Sequence, residues 1–60
     1  MQMPTDSVIL LSVANMKLRD FYSDAESMCE DLEWNKEELI QRLKSIKYEY
    51  NKDINQFVQR

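Results

Sequence analysis

Sixty residues allow one domain, here taken as residues 1–60, because a chain this short buries only about 60% of the surface its unfolded form exposes. A formal charge of -3 argues against strong nonspecific attraction to nucleic acid, and a lone cysteine, Cys29, excludes an internal disulfide and fits a reducing compartment. No run approaches the roughly 18 apolar residues of a membrane span, and no basic segment leads into a long apolar stretch, so a cytoplasmic chain without membrane contact is expected.

The first predicted element starts from Asp6 as N-cap and runs over about residues 7–22. Leu10, Ala14, Leu18 and Phe21 recur at helical spacing and form its core face, widened by Leu11 and Val13. Val8, Ile9 and Met16 project off that face, so the early turns are apolar nearly all round and need a cover, either the C-terminal hairpin or a second copy of the chain. Lys17 falls inside the apolar face by angle and must snorkel or pair. With Arg19 it suits a helix C-terminus and is expected to meet acids of the second helix.

Ser23 with Glu26 reads as a capping box, followed by a short helix over about residues 24–32 that buries Ala25, Met28, Cys29 and Leu32. Asn35 with Glu38 repeats the signal, and a third helix over about 36–46 buries Leu39, Leu43 and Ile46. Beyond Ile46 the period changes from helical to alternating. Tyr48, Tyr50 and Phe57 share one face of a hairpin with strands at about 47–50 and 55–58 around the polar turn Asn51, Lys52, Asp53. Asn55 and Gln56 are read as hydrogen-bonding residues of that hairpin. The fold class is therefore mainly α, three helices followed by a C-terminal β-hairpin.

The parts of an active site are missing: there is no histidine, no cysteine pair, no glycine-rich phosphate loop and no nucleophile beside a base. No enzyme, cofactor, metal or small-molecule substrate is expected. The acidic run Glu30, Asp31, Glu33 reads as a solvated helix end, and Cys29 as an inert buried thiol.

Helices two and three place Met28, Cys29, Leu32, Trp34, Asn35, Leu39, Leu43 and Ile46 where a helix-turn-helix unit wants its hydrophobes, small residue and N-cap, with the hairpin in the position of a wing. Glu33 stands where such turns usually carry glycine. The charge is also asymmetric: two basic and seven acidic residues through Asn35 give -5, and six basic and four acidic residues from Lys36 onward give +2. A polyanion would therefore meet Lys36, Gln41, Lys44, Lys47 and Lys52, although Glu37 near the start of the third helix would repel a phosphate backbone.

The runs Asn15-Met-Lys-Leu-Arg-Asp20, Cys29-Glu-Asp-Leu32, Glu37-Glu-Leu39, Leu43-Lys-Ser-Ile46, Tyr48-Glu-Tyr50 and Asn55-Gln-Phe57, together with Asp6 to Leu11, resemble a family of very short bacterial proteins filed as domain of unknown function forty-two-fifty. The resemblance covers nearly the whole chain and includes polar positions that packing alone does not dictate. It implies a bacterial source and brings no activity with it. The reading is a small binding module that engages protein, as a homodimer through Val8, Ile9 and Met16, with a nucleic-acid-binding helix-turn-helix as the competing reading.

Overall fold

The computed structural model describes all 60 residues as three helices, α1 (Ser7–Asp20), α2 (Ala25–Leu32) and α3 (Lys36–Lys44), followed by an antiparallel hairpin of β1 (Tyr48–Asn51) and β2 (Gln56–Gln59). Their inward faces meet in a single core: Leu10, Ala14 and Leu18 of α1; Ala25, Met28, Cys29 and Leu32 of α2; Trp34; Leu39 and Leu43 of α3; and Phe57 of β2. Every buried residue is apolar. No helix is long and apolar enough to cross a membrane.

Each helix start has a side-chain acceptor for peptide groups that have no intrahelical partner. Asp6 accepts from the Val8 and Ile9 N–H groups at 2.8 and 3.2 Å, and Asn35 accepts from the Glu38 N–H at 2.9 Å. The cap of α2 is Asp24, which accepts from the Ser27 N–H at 2.7 Å, and not Ser23 as the capping-box spacing suggested. An aspartate one residue closer to the helix displaces the serine, and α2 begins at Ala25. The Ser27 N–H and hydroxyl hold the Asp24 carboxyl below the usual carboxylate range.

The sequence contains no glycine, yet Glu33, Lys47 and Asn55 lie in the left-handed region with φ of 60°, 71° and 54°. Glu33 closes α2: the Trp34 N–H donates to the Cys29 carbonyl at 2.8 Å and the Glu33 N–H to the Glu30 carbonyl at 3.3 Å, the paired bonds of a Schellman motif. Residues 33–35 then form a three-residue helix-turn-helix connection. Lys47 and Asn55 cannot join pleated strands with such dihedrals, so each strand starts one residue later than alternation suggested. Helix α3 likewise ends at Lys44, leaving Ile46 half-buried in the turn that follows.

The first helix also stops early, at Asp20, because the Phe21 and Tyr22 N–H groups both turn back to the Lys17 carbonyl. Phe21, expected in the core, is 69% exposed at this cap; Tyr22 packs against the core instead. Lys17 snorkels, its ammonium 5.5 Å from the centre of the Phe21 ring, and Arg19 pairs with its neighbour Asp20 at 3.1 Å. Neither cation pairs with an acid of α2. The acid that α2 does engage is Asp31, which accepts from the Tyr22 hydroxyl.

The hairpin joins α1 through side-chain amides. Register pairs Tyr50 with Phe57 and Glu49 with Val58, and the Arg60 N–H reaches the Lys47 carbonyl at 2.8 Å, so Phe57 turns its own peptide groups away from β1. Asn15 takes both: its Oδ1 accepts from the Phe57 N–H at 2.7 Å and its Nδ2 donates to the Phe57 carbonyl at 3.0 Å. Gln56 Nε2 donates to the Asn15 carbonyl at 3.0 Å. Asn55 Nδ2 donates to the Leu18 and Tyr22 carbonyls at 2.9 Å each, and its Oδ1 accepts from the Tyr50 hydroxyl at 2.6 Å. The Tyr50 and Phe57 rings, 5.3 Å apart, face the core beside these bonds.

Asn15→Ala leaves the Phe57 N–H and carbonyl without a partner and is expected to cost about 1–3 kcal/mol in chemical denaturation. Asn15→Asp, which keeps an acceptor but no donor, should recover only part of it. Glu33→Gly relieves the left-handed turn and should raise stability by roughly 0.5–1 kcal/mol, a gain that fails to appear if the turn is not strained. Because the Asp24 carboxyl is depressed in the folded chain, its contribution is present above the unfolded carboxylate value and is lost as pH falls. Asp24→Asn, which caps comparably, should leave stability near neutral pH unchanged and make its decline in acid shallower.

Candidate functional site

The side of α1 opposite the core carries Val8, Ile9, Ser12, Met16 and Arg19, all exposed. Val8 is 63%, Ile9 54% and Met16 37% exposed, so the three residues singled out by periodicity are those the fold leaves uncovered. The hairpin does not cover them. Asn15, Leu18 and Tyr22 tie it to another side of the same helix.

The five polar candidates for nucleic-acid contact are also exposed, but they do not form one stripe. Lys36, Gln41 and Lys44 lie along α3, where Glu37 and the 38%-exposed Ile40 share the outward side. Lys47 precedes β1, while Lys52 lies in the hairpin turn beyond the other end of that strand. Between them Glu49 is exposed and pairs with Arg60 at 3.6 Å. The basic second half of the chain is thus broken by acidic and apolar side chains.

A groove of about 370 Å³ lies between the N-terminal segment and the turn after α2, lined by Met1, Met3, Trp34, Glu38 and Arg42 among others. Trp34 Nε1 donates to the Met1 carbonyl and Arg42 Nη2 to the Thr5 carbonyl, both at 2.7 Å. Sequence periodicity gave no sign of this arrangement, because residues 1–5 precede the first periodic segment. The Trp34 indole and the Arg42 guanidinium in its wall thereby hold that segment in place.

No three cysteine or carboxylate side chains converge on a point where a metal ion could sit. The profile of the family described as Domain of unknown function (DUF4250) matches residues 4–57. The chain belongs to the DUF4250 family. The motif runs from Asp6 to Phe57 had indicated the same membership. Among them, Asn15, Asn55 and Gln56 form the amide ties between α1 and the hairpin of this DUF4250 chain. No curated protein and no solved structure matches the chain.

The one thiol of this DUF4250 domain, Cys29, is buried between the helices, and burial pushes its pKa up. Both effects suppress the thiolate that reacts with electrophiles. Alkylation by iodoacetamide at neutral pH is expected to be negligible in the native chain and to reach the rate of a free thiol only in denaturant; rapid native labelling would contradict this placement.

Proposed function

We propose that this DUF4250 chain is a non-enzymatic protein-binding module and that the outward face of α1 is its contact surface. The observation that carries the reading is the exposure of Val8, Ile9 and Met16 on one side of a helix whose opposite side is fully packed. Aliphatic side chains so exposed add nothing to the monomer's core, whereas a partner that covers them gains roughly 25 cal/mol for each Å² of apolar surface removed from water. Arg19 at the end of this face supplies part of the polar rim of an ordinary protein contact.

The competing reading, a helix-turn-helix that engages duplex DNA, draws support from the α2–α3 turn and the exposed Lys36, Gln41, Lys44, Lys47 and Lys52. Phosphate neutralisation needs several cations along one path. Glu37, Ile40 and Glu49 interrupt that path, which favours the protein-binding reading.

Tagged wild-type and Ile9→Glu chains, used as baits in lysate of the native cell, should differ: protein retained by the wild type is lost from the variant, while their thermal midpoints agree closely. Identical retained sets would refute the α1 face as the contact. In fluorescence anisotropy at low salt, duplex DNA should show no saturable binding; salt-dependent binding weakened by Lys44→Glu would establish the competing reading.

A further inference from the structure

We propose that the occupant of the α1 face is the same face of a second copy, the two helices running antiparallel about a two-fold axis beside Ser12. The inference rests on the protein-binding reading above and names its partner.

The spacing on the helix is self-complementary. Val8 and Met16 each lie four residues from Ser12, about one helical turn, roughly 6 Å, to either side. An axis beside Ser12 therefore sets Val8 against Met16 of the second copy and repeats the contact in reverse, as an isologous interface requires. Ile9 flanks this contact. Serine at the centre is small enough for the helix axes to approach to the 8–10 Å of packed helices.

Charge selects the same orientation. Arg19, which pairs with Asp20 through Nε and Nη2, lies seven residues beyond Ser12, and antiparallel pairing brings its Nη1 to the start of the opposing helix, where Asp6 caps through Oδ1 and leaves Oδ2 to the partner. Parallel pairing would instead set Arg19 against Arg19. The macrodipoles of the antiparallel helices also oppose each other favourably.

Neither end of the folded chain supplies an alternative cover. The hairpin is tied by Asn15, Asn55 and Gln56, and residues 1–5 are tied to Trp34 and Arg42. The size of the face sets the strength. A standard stable interface takes about 800 Å² from each partner, against a total accessible surface of 4192 Å² for this chain. A single 14-residue helix side offers less than that share, which puts the dimer among the small, exchanging interfaces.

Sedimentation equilibrium of the full chain from about 1 μM to 1 mM tests the proposal. The weight-average mass of the wild type should rise towards twice the monomer, whereas Ile9→Glu and Met16→Glu should stay monomeric with unchanged circular dichroism. Arg19→Glu should weaken association several-fold. Under mild oxidation Ser12→Cys should link two chains, while Ser27→Cys, exposed on α2, should not. A wild type monomeric throughout, a dimer that both glutamate variants preserve, or failure of Ser12→Cys to cross-link would each overturn it. A monomeric wild type that still retains another protein through Ile9 overturns this inference and leaves the protein-binding reading standing.

Discussion

The arrangement depends on one side chain, the amide of Asn15, which supplies both a donor and an acceptor to the peptide groups of Phe57. A two-stranded hairpin is marginal in water, and its outer edge exposes unpaired N–H and carbonyl groups. Asn15 closes that edge as a neighbouring strand would, although it sits on a helix. The bonds also fix β2 where Phe57 enters the core. Apolar packing and edge closure are therefore achieved by the same contact. Asn55 adds a second tie from the hairpin turn to the carbonyls at the end of α1, groups that a helix otherwise leaves to solvent.

Absence of glycine shapes the rest. Three left-handed positions are needed, at the end of α2, before β1 and before β2, and they are filled by Glu33, Lys47 and Asn55. Asparagine tolerates this conformation better than most residues, and here its side chain is further held by three hydrogen bonds. Glutamate and lysine have no such relief. The cost at Glu33 is accepted because the Schellman bonds it permits direct the chain from α2 into Trp34, which packs in the core between the two helices. In a domain of this size such a turn is a sizeable fraction of the net stability.

What periodicity could reveal, it did: the rows on the three helices, the shared face of Tyr48, Tyr50 and Phe57, and the off-face trio Val8, Ile9 and Met16 all follow from side-chain spacing along one element. The caps Asp6 and Asn35 were legible because their partners are two or three residues away. Asn15 was not, since its partner is 42 residues distant and an amide on a helix flank looks like any solvated residue. Phe21 was misplaced because spacing assumes that the helix continues, whereas the chain turns at Asp20 and presents Tyr22 to the core. The left-handed Lys47 and Asn55 shifted both strands by one residue, because alternation carries no information on backbone sign.

The division of α1 into sectors explains how a chain so small can spare apolar surface for binding. One sector, Leu10, Ala14 and Leu18, is fully committed to the core, and an adjoining one, through Asn15, holds the hairpin. The remaining sector, Val8, Ile9, Ser12 and Met16, stays exposed to solvent. The hairpin is docked by Phe57 in the core, with Tyr48 and Tyr50 packed against it, and by the amide ties at its edge, and none of these contacts uses Val8 or Ile9. Substitution there is separable from folding, because none of the core residues or amide bonds runs through Val8, Ile9, Ser12 or Met16.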